Sequence, residues 1–207
     1  MRNYRRRVIA LLASAMMLTT ASANAQAQIG AILGATFSTL RGVDNLDSRT
    51  GLLGGLSLVL PLAGPVRLQP ELLFVTKGAE GADGVDGVEL SYAEIPVLLR
   101  LNLGAGGGIT PHVYAGPYFG IEIDCKVEGT DADCDNSPDI STKSVDVGGT
   151  VGGGLDLDLG PAVLTGGLRY SFGVSKIADF EVGNVRESAK NGTFALYAGL
   201  ALRLGSR

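Results

Sequence analysis

Apolar and polar residues alternate along extended stretches of this chain, and this pattern constrains the fold more than any other feature. The final stretch is the clearest, because its leucines and its phenylalanine fall on one face with Ala198, in the set Phe194, Leu196, Ala198, Leu200, Leu202 and Leu204. The stretch at residues 88–103 alternates in the same way, with Leu99 and Leu101 on its apolar face. Successive side chains of a β-strand point to opposite faces, so this period of two predicts strands with one apolar side.

Eight segments are predicted as strands by this pattern and by the turn residues between them. They cover residues 27–37, 52–61, 66–77, 88–103, 111–123, 144–159, 162–173 and 193–204. The first two alternate less clearly than the other six. The prediction is an all-β chain with eight antiparallel strands in up-and-down order.

The connections between these segments alternate in length. Short links follow the second, fourth and sixth segments, at residues 62–65, 104–108 and 160–161. Long polar links follow the others, at residues 38–51, 78–87, 124–143 and 174–192. Short turns at one rim and long loops at the other are typical of an outer-membrane barrel, whose even strand count places both termini at the periplasmic rim.

The composition also favours a protein that contacts lipid. The mean hydropathy is +0.25, and only 18% of residues are charged against about 25% in ordinary soluble domains. No long apolar run follows the amino-terminal region. A closed barrel is the other structure that can span a bilayer, since it pairs every backbone polar group between strands. The alternative is a soluble barrel with its apolar face inward, but the polar face here has too few Lys and Glu to face water.

The amino-terminal segment is interpreted as a secretory signal peptide over residues 1–25, with the barrel domain over residues 27–207. Four arginines precede an apolar run at residues 8–18, and cleavage is expected after Ala25 or Ala27. A membrane anchor is the alternative, but a spanning helix needs about 20 apolar residues. Losing the four arginines leaves 13 basic and 21 acidic residues, a net charge of −8. That charge argues against a nucleic-acid partner.

Four segments resemble the outer membrane protein β-barrel domain family, whose members are often called porin-family proteins. They are QPELLF at residues 69–74 with TKG at 76–78, YAEIPVLLR at 92–100, PHVYAGPYFG at 111–120 and LRYSFG at 168–173. Their order and spacing extend the resemblance over nearly the whole mature chain. The resemblance implies an eight-stranded barrel in the bacterial outer membrane, in contact with its lipid and lipopolysaccharide, and implies no particular activity.

Charged residues of both signs fall on the polar faces of the predicted strands. They are Arg67, Glu71, Glu94, Arg100, Asp156, Asp158, Arg169 and Arg203. An eight-stranded barrel is just wide enough for side chains to fill, and buried charges must pair. We therefore expect a network of ion pairs that plugs the interior. The alternative is a charged lining that gives a narrow channel its selectivity.

Two cysteines, Cys125 and Cys134, lie in the long link after the fifth segment. They are predicted to form a disulfide, because the chain passes through an oxidising periplasm and only one intramolecular pairing exists. A metal site is the alternative, but two cysteines without a nearby histidine do not complete a zinc site.

The same link also contains aspartates at 131, 133, 135 and 139, whose oxygen-rich spacing could suit calcium. A solvated acidic loop is the favoured interpretation.

His112 is the only histidine and therefore the main candidate for a catalytic base. No serine and acid accompany it in a recognisable set, and it is expected near the periplasmic turns, away from the outer-leaflet lipid. The sequence thus predicts a protein that is not an enzyme and needs no cofactor. Its expected role is structural or in surface interactions with an unidentified partner, through long acidic loops. The alternatives are a narrow porin-like channel and, less favoured, a lipid-modifying enzyme.

Overall fold

A computed structural model describes residues 26–41, 46–81, 88–104, 108–127, 140–142, 145–174, 178–182 and 185–205. These ranges contain ten strands: β1 (Ala27–Arg41), β2 (Leu46–Ala63), β3 (Val66–Gly81), β4 (Val88–Asn102), β5 (Ile109–Val127), β6 (Ile140–Thr142), β7 (Val145–Asp158), β8 (Ala162–Gly173), β9 (Ala178–Val182) and β10 (Val185–Leu204). Within the same ranges, no helix is long and apolar enough to cross a bilayer.

Eight of the strands form one antiparallel sheet that closes on itself. Neighbours follow the order β1-β2-β3-β4-β5-β7-β8-β10, and β10 returns to pair with β1. The closing pair runs from Ala27 opposite Leu204 to Arg41 opposite Lys190. The prediction of an eight-stranded antiparallel barrel is therefore confirmed. Closure removes the free edges at which an open sheet would pair with other chains.

Five of the eight barrel strands, β1, β2, β3, β5 and β10, are longer than the hydrophobic pattern predicted, and two short strands lie in segments predicted as loops. β1 and β10 extend to Arg41 and back to Val185, and β6 and β9 form a small sheet with the first residues of β10. The predicted loop assignments at residues 38–51, 78–87, 124–143 and 174–192 are therefore wrong in part, because β3 also runs on to Gly81 and β5 to Val127. Beyond the apolar band, strands continue because their backbone groups still pair, whereas side-chain alternation is needed only where one face meets an apolar medium.

One rim of the barrel carries the tight turns and both ends of the closed sheet, and we call it the short-turn rim. Gly64 and Gly160 have positive φ angles of 51° and 82° in two of these turns, a conformation that glycine adopts without steric cost. The turns bond to neighbouring strands, as in Asn102 N–H donating to the carbonyl of Pro65 at 3.0 Å. The opposite end is called the long-connection rim.

The two faces of each strand divide as the alternation predicted. Leu99 is 56% exposed and Leu200 is 53% exposed, whereas Arg100 between two outward leucines is 4% exposed. The outer surface is thus an apolar band, and the polar residues of the same strands turn into the barrel. A soluble barrel would have the opposite arrangement.

The interior also contains an apolar cluster, which explains why the first two segments alternate poorly. Ile32 of β1 and Leu53 of β2 point inward and pack with Leu73, Val75 and Leu98. In β1 and β2, therefore, both faces carry apolar residues. A period-two signal weakens whenever the inner face is filled by hydrophobic side chains instead of polar ones.

Glycines of β7 face aromatic rings of β5 inside the barrel. A β-carbon on Gly148 would lie 2.5 Å from Tyr118 Cε1, and one on Gly152 would lie 2.5 Å from the Tyr114 hydroxyl. Both separations are far shorter than van der Waals contact. The two rings therefore occupy the space that side chains on β7 would otherwise fill.

Candidate functional site

The charged residues inside the barrel form three layers between the long-connection rim and the short-turn rim. The layer nearest the long-connection rim centres on Lys77. Its ammonium group pairs with Glu94 and lies 3.1 Å from Asp146 Oδ2. The Tyr118 hydroxyl donates to the same Asp146 oxygen at 3.0 Å, and the ammonium lies 4.6 Å from the centre of that ring. The Lys77 and Asp146 side chains are fully buried, so this charge cluster is shielded from water.

The middle layer is a two-pronged ion pair between Arg169 and Glu71. The two guanidinium nitrogens lie 2.9 and 3.0 Å from the two carboxylate oxygens. The guanidinium also lies 5.1 Å from the ring centre of Tyr197 and 5.7 Å from that of Tyr114, and the Tyr114 hydroxyl donates to that of Tyr197 at 3.1 Å. A planar guanidinium can bond to a carboxylate and stack on aromatic rings at the same time. This layer therefore joins β3, β5, β8 and β10 across the lumen.

The third layer, toward the short-turn rim, is built around Arg100. Its guanidinium pairs with Asp156 and also donates to the side-chain oxygens of Gln69, at 3.2 Å, and Asn102, at 2.9 Å. Gln69 donates in turn to Glu71 at 2.7 Å. The third layer is thereby hydrogen-bonded to the middle layer, and the two form one connected network.

At the short-turn rim itself, Arg203 and Asp158 form an ion pair with two contacts of 2.7 Å. This pair is partly exposed, so its charges are in contact with water and do not block the lumen. Arg67 lies at the same rim and donates to the carbonyls of Gly64 at 2.6 Å and Val66 at 3.0 Å.

All eight charged residues predicted on the inner face thus lie in the interior or at its short-turn mouth. Six of them form three partnerships, in which Glu71 pairs with Arg169, Arg100 with Asp156, and Asp158 with Arg203. Lys77 and Asp146 were not among the predicted charges, although Lys77 is two residues beyond the inward-facing Val75. Continuing the same alternation by one step would have placed Lys77 in the interior. Lys77 is the last residue of the predicted segment, so it was not assigned to the inner face.

His112 is buried and lies beside the third layer. Its Nδ1 is 3.5 Å from Asp156 Oδ1, and its ring stacks on Tyr114 at 6.0 Å between centres. In the described part of the chain, no serine or threonine side-chain hydroxyl is hydrogen-bonded to this ring. An acyl-transfer site needs such a nucleophile within reach of the base.

The predicted loop sites lie mostly outside the described residues. Cys125 is in β5, opposite Leu90 of β4, but Cys134 and the aspartates at 131, 133, 135 and 139 fall within residues 128–139. Where the chain is described, no three His, Cys, Asp or Glu side chains are grouped closely enough to hold a metal ion.

A closed antiparallel barrel with an apolar outer band and a polar, charge-paired interior defines a transmembrane β-barrel. The model of the family described as "Outer membrane protein beta-barrel domain" matches residues 20–179. The chain belongs to this family, as the four sequence segments predicted, and its place is the bacterial outer membrane, where its apolar band meets lipid. No curated protein matches the sequence.

Two solved structures show the same fold. Neisserial surface protein A superposes with a TM-score of 0.58 at 16% identity, over 86% of this chain and 97% of that one. The outer membrane protein OprG from Pseudomonas aeruginosa superposes with a TM-score of 0.55 at 17% identity, over 88% and 97%. At these identities the likeness extends to the fold alone.

Proposed function

We propose that this protein is a non-conducting outer-membrane barrel with a structural or surface-interaction role. The observation that carries this proposal is the layered network of ion pairs across the lumen, which links Lys77, Arg169 and Arg100 to carboxylates on other strands. Ion pairs and the tyrosine rings beside them fill the lumen, which is narrow in a barrel of eight strands. A plugged interior leaves the long connections as the surface that other molecules can reach.

The orientation and the leader sequence belong to the same proposal. Residues 1–25 act as a signal peptide, with cleavage after Ala25 or Ala27, and the barrel occupies residues 27–207. Both barrel termini and the short-turn rim face the periplasm, as in other outer-membrane barrels with an even strand count. The long-connection rim then faces outward, where it can meet lipopolysaccharide or an extracellular partner.

A non-enzymatic role is supported by the position of His112. The side chain is 2% exposed and lies inside the barrel among charged and aromatic residues. Lipid on the outer surface of the barrel therefore has no access to its ring. An assay for changes in lipid A structure would show no product if this proposal is correct.

Recording from planar bilayers tests the proposed function directly. Purified monomer should give little or no steady conductance, because the ion-pair layers leave no open path. Steady nanosiemens-scale channels from the unaltered monomer would contradict the proposal and support a porin-like channel.

Placing a charge on the apolar band should destabilise the barrel. Leu200 lies about halfway along the outward apolar residues of β10 and is 53% exposed. Leu200→Arg is expected to lower the free energy of unfolding by about 2–4 kcal/mol near the bilayer midplane. Urea titration of the protein refolded in lipid vesicles measures this value. Leu200→Met keeps the size and lacks the charge, so it should cost far less; equal stability of the two variants would contradict a lipid-facing band.

We also propose that Cys125 and Cys134 are joined by a disulfide in the exported protein. The oxidising periplasm favours the bond, and the nine-residue spacing closes a short loop. Such a closure restricts the unfolded chain by up to roughly 3 kcal/mol. Mass spectrometry of the unreduced, protease-digested protein should show one peptide pair joined through these cysteines. Recovery of both as alkylatable thiols from periplasmically exported protein would contradict the disulfide.

A further inference from the structure

The mouth of the barrel at the short-turn rim contains a polar cavity of about 180 Å³. Charged, amide and hydroxyl side chains line most of it, on β1, β3, β4, β5, β7 and β10: Gln28, Arg67, Asn102, Thr110, Asp156, Asp158 and Arg203. The cavity is larger than a single water molecule requires. It opens at the rim that we propose to be periplasmic, below the third charge layer.

Among the described residues, the charges around this cavity do not balance. The guanidinium groups of Arg67 and Arg203 line it with the carboxylates of Asp156 and Asp158, and a third guanidinium, that of Arg100, contacts Asp156. Asp156 pairs with Arg100, and Asp158 pairs with Arg203. In the described part of the chain, Arg67 has no carboxylate partner, and its hydrogen bonds go to two backbone carbonyls of its own turn. Among the described residues, one positive charge is therefore left over, and it lies on Arg67.

The position of Arg67 places this excess charge against a second positive charge. Arg67 of β3 is the direct cross-strand partner of Arg100 of β4, and like charges directly opposite one another destabilise a strand pair. Both carbonyl contacts of Arg67 use Nη1. They leave Nε and Nη2 to donate in the fork arrangement that suits two oxygens of one anion.

We propose that the short-turn mouth binds a small oxyanion, of phosphate or carboxylate type, on the guanidinium of Arg67. The anion supplies the missing negative charge and offsets the repulsion between Arg67 and Arg100. Asn102 and Thr110 line the same cavity and offer an amide and a hydroxyl as further donors. A soluble oxyanion is favoured over a lipid headgroup, because the lining residues belong to the inner face of the barrel.

Titration with inorganic phosphate tests the site in the full mature protein. The protein is held in non-ionic detergent micelles free of phospholipid, at constant ionic strength set with sodium chloride. The Arg67 Nε–H resonance and the Asn102 side-chain amide resonances are followed by NMR. We expect saturable shifts at millimolar phosphate or below, and the same affinity in phospholipid nanodiscs. Shifts in micelles that disappear in nanodiscs would show a headgroup in the cavity and overturn the proposal of a soluble ligand.

Two variants and one control separate specific binding from general attraction. Arg67→Gln should weaken phosphate binding at least tenfold, as measured through the Asn102 resonances. The affinity of Arg67→Lys should lie between those of the wild-type protein and Arg67→Gln, because lysine keeps the positive charge but cannot donate two parallel hydrogen bonds to one anion. Arg49→Gln removes one positive charge from a pair with Glu89 outside this cavity, so it should leave the affinity unchanged. Wild-type-like affinity in the folded Arg67→Gln variant, or no saturable shift in the wild-type protein, would overturn the proposal.

Discussion

Glu71→Leu is expected to lower the free energy of unfolding by about 3–5 kcal/mol, because it leaves Arg169 as a buried charge without its carboxylate. Both side chains are almost fully buried, and both prongs of the pair are short. In the native state the Arg169 guanidinium is shielded from water. The two aromatic rings beside it offset only part of the loss, since a cation–π contact contributes about 1–2 kcal/mol.

A double-mutant cycle identifies the pair as the cause. Arg169→Met combined with Glu71→Leu removes both charges, so the double variant should be more stable than the sum of the single effects predicts. Arg203→Met provides the control. It breaks an ion pair at the partly exposed rim, where such pairs contribute about 0–1 kcal/mol. Additive single effects in the Glu71 and Arg169 variants would show that the two residues do not act as a pair.

Lys77→Met should also be strongly destabilising, at about 3–5 kcal/mol. The substitution removes the only cation in its layer among the described residues and leaves Glu94 and Asp146 as two carboxylates in a site shielded from water. The side chains of all three are at most 4% exposed. Chemical denaturation in lipid vesicles, followed by the gel mobility of unheated samples, measures the loss.

The same substitution at Lys126 is the matched control. Lys126 contacts Asp124 at 3.1 Å, and its side chain is 55% exposed. Lys126→Met should therefore change the stability by less than about 1 kcal/mol. Adding Glu94→Gln to Lys77→Met should recover part of the loss, because one carboxylate then remains and Tyr118 donates to it. A Lys77→Met variant as stable as Lys126→Met would rule out a structural role for the layer.

The strand alternation was sufficient to predict most of the barrel, because lipid outside and paired charges inside impose opposite chemistry on neighbouring residues. That is why Arg100 could be placed inside and Leu99 outside from the sequence. The small sheet of β6 and β9 could not be predicted in the same way. Those strands lie beyond the apolar band, where backbone pairing requires no alternation of side chains.

The charge partners were harder to predict than the faces. Alternation places Glu71 and Arg169 in the interior, but they lie on strands that are not neighbours in the sheet, and their contact crosses the lumen. Such a pairing depends on barrel shear and on side-chain reach, which a single sequence does not encode locally. The lack of a carboxylate partner for Arg67 could not be predicted for the same reason, because it follows only once the partners of the other charged residues are known.

The glycines of β7 bear on how this lumen could be widened. Tyr114 and Tyr118 stand where β7 offers only hydrogen atoms, so no other side chain takes their place when the rings are removed. Trimming these two residues to alanine would therefore leave two hollows against that wall, at Gly148 and Gly152, on either side of the buried Thr150 side chain. The strand number and the outer circumference would stay as they are. A synthetic nanopore built on this scaffold would therefore need these two rings and the ion pairs that cross the lumen removed together.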